Sequence, residues 1–571
     1  MKSSIGRSSV VLSGVALILA AAGQAMAVDC TTTPIALTGT NGVLGPNQGA
    51  ATFTFLGSAN PALNNNGQAI FRADTTLIAN SGNPGSAALW VYSGGVNNPL
   101  VAQGDAAPGG GTYTGGFNSP IINDSAGTGW RDSTIALYSN NGSSGKVMKN
   151  GDAAVGTGGG VWSSISNPSP TFNGAGQTAF VASMPSNASA TPPIVFTSGI
   201  ANSSGLWAGA PGSVALVVRQ NDGITTGSTS DPVRFGSLST PFGFNDNSKL
   251  LFRAALQGTV TTGAASGNDQ AIFSNRNGGS TFEMIARRGD AVPGLEAGAQ
   301  YRNIDASSAI NNAGKIAFVT TIRGGNAGTS GSNYAVMTDT AGSLAAYCRT
   351  GTTTGMPIAG ATWNGFYSDT VINKVGTVAF KGNISGPGIT SGTNDTAIFK
   401  ISNSGAITMG PRQGDAVSNA ISTVSGETVL LGGAGFQGGF SMNSLGQVAF
   451  TSGLRSVKSD GSAGTGVNGA IGNNIALLAT DVDGTICMIA QKNTAFQVAP
   501  GDIRIVSALG GFSVNGGESG AQLSFSNNGD LIYSLSFADG TSGVFLTHIP
   551  APGAAGLMGM GGLLVARRRR R

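Results

Sequence analysis

Along this chain the apolar residues fall in short runs, alternating or continuous, that are broken by Gly-, Asn- and Ser-rich punctuation. No stretch of the body carries them at the helical spacing, so the pattern predicts strands rather than helices. Residues 301–351 show the arrangement most clearly. A run over 304–310 meets an Asn-Asn-Ala-Gly turn, a second run covers 315–322, and two more follow at 334–338 and 344–349. Asn followed by Gly three positions on suits a tight turn, because both residues tolerate the left-handed backbone region. The alternation after the turn then places Ala and Phe near the buried face of a strand.

The same turn-and-strand pattern recurs along the whole chain. Asn173-Gly-Ala-Gly176-Gln-Thr-Ala179-Phe180 returns as Asn311-Asn-Ala-Gly314-Lys-Ile-Ala317-Phe318. It returns again as Asn373-Lys-Val-Gly376-Thr-Val-Ala379-Phe380 and Asn443-Ser-Leu-Gly446-Gln-Val-Ala449-Phe450. Looser copies run over 64–71 (with Asn64 and Gly67), 245–252 and 526–533, and a degenerate copy over 123–130 has its Gly displaced. The aromatic positions 71, 130, 180, 252, 318, 380, 450 and 533 lie 59, 50, 72, 66, 62, 70 and 83 residues apart, the mark of a repeat with variable insertions. These motifs resemble the NxxGxxAF tandem-repeat proteins, a resemblance covering residues 35–548 and implying architecture and address rather than an activity. Four antiparallel strands per unit predict an all-β fold, a single β-propeller of eight four-stranded blades, with seven blades as the alternative. The last unit ends at its third strand, 543–548, and the segment 35–39 could supply the fourth, which would close the ring and remove two exposed edges.

Both ends read as addresses. Lys2 and Arg7, an apolar run over 10–22 and Ala25-Met26-Ala27 form a signal peptide over 1–27, with cleavage expected after Ala27. At the other end Pro550-Ala551-Pro552 precedes an apolar, Gly-rich stretch over 554–566 and five arginines, Arg567–Arg571. The segment 549–571 resembles the PEP-CTERM sorting signals of bacterial envelope proteins, although Ala551 stands where that family carries Glu. The resemblance implies a sorting enzyme acting near Pro550 and Pro552, transient tethering to the membrane, and delivery to the cell surface or the extracellular space. The alternative is a weak permanent tail anchor.

Composition changes this picture in two ways. The chain's 92 Gly and 22 Pro among 571 residues mark many turns, and its 10% charged residues leave little surface chemistry. Its net charge of +4 suggests nucleic acid until the termini are set aside. Without Lys2, Arg7 and the five terminal arginines, 23 basic residues face 26 acidic ones in the body, a net of −3. A nucleic-acid partner needs a basic stripe that this body lacks.

Candidate chemistry is sparse. A second recurrent element follows the fourth strand of many units: Gly-Asp at Asp105, Asp152, Asp290 and Asp415, with Asn-Asp at Asp222. Blade-to-blade loops share a face with the long loops between second and third strands (181–203, 321–332, 382–394 and 452–473), so one face gathers the Asp set and the variable loops. The Asp set reads either as oxygen ligands for a hard cation, calcium, or as caps of their own turns, the reading we prefer. Arg288-Gly-Asp290 is one such slot rather than an adhesion tripeptide, and Asp481-Val-Asp483-Gly484 reads as a hairpin. The five Trp fit packing between blades. Cys30, Cys348 and Cys487 leave room for one disulfide, with burial the expected role of Cys348 and Cys487.

Catalysis would have one His, His548, and four Glu (283, 296, 427 and 518), all scattered. The expectation is therefore an exported, surface-associated propeller with a non-enzymatic binding or structural role. Its partners would be an extracellular polysaccharide or protein. The alternative is a glycan hydrolase or lyase using Asp residues of the loop face.

Overall fold

A computed structural model describes residues 30–550 except 41, 57–59, 77–86, 134, 166–170, 197–200, 226–230, 261, 263–266, 279–281, 328–332, 418, 514–515 and 517–521. Its strands form eight sheets of antiparallel strands that follow one another along the chain. The molecule is an eight-bladed β-propeller. Blade 5 is typical: Gln300–Ile310, Ile316–Arg323, Tyr334–Thr338 and Ala345–Arg349 pair in sequence order. The degenerate unit is a full blade of its own, Asn118–Ile122, Thr128–Asp132, Ala136–Asn140 and Ser144–Lys149, which removes the seven-bladed alternative.

The aromatic position of each repeat builds the core. Its side chain lies directly across from a large residue of the third strand: Phe71 from Trp90, Trp130 from Tyr138, Phe180 from Trp207, Phe380 from Phe399. Several of these pairs stack, with ring centroids 5.7–6.0 Å apart and planes within 15–25°. A further aromatic, from the first strand (Phe53, Phe235, Trp363) or from the segment leading into it (Tyr113, Trp162), closes the triangle edge-on or tilted. Both faces of each sheet are covered by neighbouring blades, so the second strands read as near-continuous buried runs. Ile316–Arg323 is buried at every position. All five Trp are at most 3% exposed, which makes them core residues, as the spacing suggested.

Closure follows the expected route. Thr31–Leu37 lies antiparallel to Ser542–His548, with Thr31 opposite His548 and Leu37 opposite Gly543, and supplies the fourth strand of blade 8. Ile35, Ala36 and Leu37 are fully buried there. A disulfide joins Cys30, at the head of this strand, to Cys487 in the fourth strand of blade 7 across 457 residues of chain. The expected plain burial holds for Cys348, which is free and buried, but not for Cys487. The ring brings Cys30 beside Cys487 although nearly the whole chain separates them. Residues 1–27, expected to be a signal peptide and including Ala27, and those beyond Pro550, with Pro552, lie outside the described residues.

Candidate functional site

Two rings of polar residues hold the blades to one another, one on each face. On the first face each repeat Asn is buried and works in two directions. Its Oδ1 accepts backbone N–H groups of its own turn; for Asn173 these come from Ala175 and Gln177, at 3.1 and 2.9 Å. Its Nδ2 donates to the backbone carbonyl of the same motif position in the next blade. This bond runs from Asn64 to 123, 123 to 173, 173 to 245, 245 to 311, 311 to 373, 373 to 443 and 443 to 526, at 2.7–3.1 Å throughout. Seven of the eight junctions carry this latch. The eighth starts from Ser526, whose hydroxyl still accepts the turn N–H groups of Asn528 and Asp530 but has no amide to send onward. That junction keeps the second bridge, from Asn527 and Asn528 to the side chain and carbonyl of Asn65, just as Asp246 and Asn247 reach Asn312 beside their latch.

The fourth residue of the turn sits at positive φ, 76–89° where it is Gly67, Gly176, Gly314, Gly376, Gly446 or Gly529. The same slot is Ala126 in the degenerate copy, at 63°, and Ser248 in blade 4, at 58°. The displaced glycine of blade 2 is therefore a real departure, with a Cβ held where Gly is favoured.

On the opposite face the Gly-Asp element is a blade junction. The residue before each Asp donates its N–H to the first strand of the next blade or the segment leading into it, and the carbonyl of the Asp receives an N–H back. Gly104 and Asp105 bracket Tyr113 in this way, Gly289 and Asp290 bracket Tyr301, and Gly414 and Asp415 bracket Leu431. Seven junctions share both bonds, with Thr352 and Thr494 in the Asp position of two of them; at the eighth Gly39 donates to the Phe53 carbonyl, with Thr40 in the Asp position. The side chains do complementary work on the residue three positions back. Asp105, Asp222 and Asp415 accept its N–H at 2.7–2.8 Å, whereas the three Thr hydroxyls donate to its carbonyl at 2.7–2.9 Å. Burial raises the carboxyls of Asp222, Asp290 and Asp415 above the ordinary range, opposed by nearby Arg219, Arg287 and Arg412.

The five Asp thus occupy five separate turns. No group of three or more metal-ligating side chains occurs among the described residues. Asp152 differs in pairing with Lys146 at 2.8 Å. In the Arg288-Gly-Asp290 slot, Arg288 is turned to Asp269 and Asn303. Asp481 accepts the N–H of Thr485 within a hairpin between strands, as its spacing suggested.

A third repeated residue escaped the sequence reading. Arg219, Arg287 and Arg412, each three residues before its Asp, donate through Nε to the carbonyls of Asn202, Asn268 and Asn394 at the ends of the long loops. Gln491 does the same to Asn473. The signal was present as Arg-x-x-Asp in blades 3, 4 and 6. The fixed polar groups of this face therefore anchor the loops, and the loops themselves carry what differs between blades.

The inner strands are bulged where they line the central axis, and basic residues following the repeat aromatic reach across to them. Arg253 donates to the carbonyl of Ile304 at 3.0 Å. Lys381 is buried against the ring of Tyr367, donates to the carbonyl of Gly438 at 3.2 Å, and pairs with Asp369 at 3.6 Å. Burial lowers the pKa of this ammonium.

The residues considered for catalysis are dispersed or already engaged. Glu283 pairs with Arg276, Glu296 with Arg349, and Glu427 accepts the N–H groups of Thr465 and Gly466; Glu518 lies outside the described residues. Asp502 and Asp539 face the same guanidinium, Arg504, and both carboxyls are held below the ordinary range by hydrogen bonds. A glycosidase pair needs one acid held protonated, and this pair holds neither. His548 is on the Asn-turn face, bonded to Asp530 at 2.8 Å, away from the variable loops.

Fold and junctions together define a closed eight-bladed propeller whose repeated polar residues stitch blade to blade. The chain belongs to the family described as "Family of unknown function (DUF7453)", whose model matches residues 31–193 and 195–555. No curated protein matches it in sequence. Among solved structures it is similar to Trypanosoma rangeli sialidase at 11% identity, covering 74% of this chain and 61% of that one, with a TM-score of 0.28. A PL25 ulvan lyase, a polysaccharide lyase, matches at 7% identity over 75% of this chain and 95% of its own, TM-score 0.28. A luciferin-regenerating enzyme matches at 12% identity over 60% and 84%, TM-score 0.21. Likeness at this level carries no functional argument.

Proposed function

We propose that this protein is an exported, cell-surface-associated propeller whose role is to bind or to build, not to catalyse. The observation that supports this reading is where the repeated polar residues go. The motif Asn latches adjacent blades, the Asp or Thr slot joins fourth strand to first, and the Arg or Gln before it anchors a loop. The repeat itself then offers structure, and recognition falls to the loops between second and third strands, rich in Gly, Ser, Thr and Asn, on a rigid frame. Export is supported by the Cys30–Cys487 bond, which belongs to an oxidising compartment, and by the two terminal segments.

The partner class is an extracellular polysaccharide or a matrix protein. The test is binding of residues 28–549 to a glycan array and to envelope polysaccharide, with calcium and with chelator, alongside turnover assays on the same glycans. Saturable binding without turnover, lost when the loop over 458–474 is shortened, is the expected result. Release of reducing ends or unsaturated sugars would overturn the non-catalytic reading.

A further inference from the structure

The two faces differ in where the chain leaves the ring. In blade 8 the third strand ends at His548 and the fourth begins at Thr31, directly opposite. The two ends of the described chain therefore stand where other blades carry the hairpin between third and fourth strands, on the Asn-turn face. The C-terminal exit is fixed by three hydrogen bonds. Ile549 donates its N–H to the Gly529 carbonyl at 2.7 Å. The Gln447 amide donates to the carbonyls of Ile549 and Pro550, each at 3.1 Å. Pro550 thus emerges beside the blade 7 turn, whose tip is Leu445.

The turn tips on this face are not uniform. The third residue of the turn is Asn or Ser in blades 8, 1, 2 and 4 and Ala in blade 3. In the consecutive blades 5, 6 and 7 it is Ala313, Val375 and Leu445, all exposed. Val375 is 52% and Leu445 44% open to solvent, and the exposed Lys374 sits beside Val375. An apolar arc with an adjacent cation is next to the point where the chain departs toward an apolar stretch ended by five arginines.

We propose that the Asn-turn face is the membrane-facing side of the protein, with the arc of blades 5–7 resting on anionic lipid and the loop face turned outward. This rests on reading 554–566 as a membrane-inserting stretch and applies to the chain while that stretch is attached, before any cleavage near Pro550 and Pro552. Only residues 551–553 separate Pro550 from that stretch, and three extended residues span roughly 10 Å. That is only a little more than the roughly 5–8 Å of headgroup region on one side of a bilayer, so such a short tether holds this face against the lipid. Val375 and Leu445 then meet the interface, and Lys374 meets the anionic headgroups.

The experiment uses the full-length chain on vesicles of phosphatidylcholine and phosphatidylglycerol, with an environment-sensitive fluorophore on Val375→Cys or, as control, on Asp460→Cys in the blade 7 loop. The native sulfurs do not compete, because Cys30 and Cys487 are paired and Cys348 is buried. The expected result is flotation with the vesicles, a blue-shifted probe at 375, and several-fold weaker quenching there by aqueous iodide than at 460. Equal quenching at the two positions in floated protein overturns the orientation while leaving the tail reading intact. Failure to float overturns both.

Discussion

Blades 5 and 8 share a four-strand plan, to which blade 8 adds a short strand, Ala495–Ala499, but they are assembled differently. Blade 5 comes from one continuous stretch, has the full Asn motif, and both receives and sends the Asn latch. Blade 8 is built from both ends of the chain, carries Ser526 in place of Asn, and sends no such latch. Its fourth strand is tied to blade 7 by the Cys30–Cys487 bond, and Asn527 and Asn528 bridge to Asn65. The comparison teaches that the repeat relaxes at the seam, where the Asn latch is missing and a disulfide is added.

The largest effect should come from removing the strand that makes blade 8 composite. Deleting residues 30–39 strips a ladder and the burial of Ile35, Ala36 and Leu37. It should destabilise the ring by about 5 kcal/mol or more, with an unpaired edge at Ser542–His548 that promotes association. Thermal unfolding and size-exclusion chromatography would show it. An unchanged, monomeric variant would mean that the seam contributes little.

Next is the covalent tie. Cys30→Ser should lower stability by about 2–5 kcal/mol in denaturant melts, since the bond closes most of the chain into one loop. Adding reductant to the unaltered protein should reproduce the loss and leave the variant unaffected.

The third test makes blade 5 resemble blade 8. Asn311→Ser keeps an oxygen for its own turn and removes the donor to the residue 373 carbonyl, so about 1–2 kcal/mol should be lost. Ser526→Ala should lose less, because only the local cap is removed. Equal losses would refute the latch.

The smallest effect is a gain. Ala126→Gly relieves a Cβ at positive φ and touches no latch, so it should stabilise by about 1 kcal/mol. Ser248→Gly should gain less, because the Ser248 hydroxyl also donates to Gln177 of blade 3 and that bond is lost.

The blade count was legible because each unit carries two separate signals, the Asn turn and the aromatic seven residues later, so that even the degenerate copy over 123–130 kept one. Closure was legible because the last unit is a strand short. What the residues alone could not show depends on neighbours distant in sequence. The Nδ2 of each Asn bonds a residue 50–83 positions away, and Cys487 meets Cys30 only once the ring has closed. The Asp set left a ligand ring open beside the preferred turn caps because its five copies share one residue type. Thr40, Thr352 and Thr494, in the same slot, show that the position holds a turn, and only the backbone bonds to the next blade identify them as equivalents.

The closing strand also determines how the molecule responds to being pulled. Ser542–His548 is paired along its length on both sides, to Asp530–Phe537 and to Thr31–Leu37. The chain leaves it almost directly, through Ile549. A force drawn between that exit and anything gripping the loop face runs along the strand axis and must shear two ladders at once instead of unzipping one. A seam made from the two ends of the chain is thus placed where tension is resisted by many hydrogen bonds in parallel.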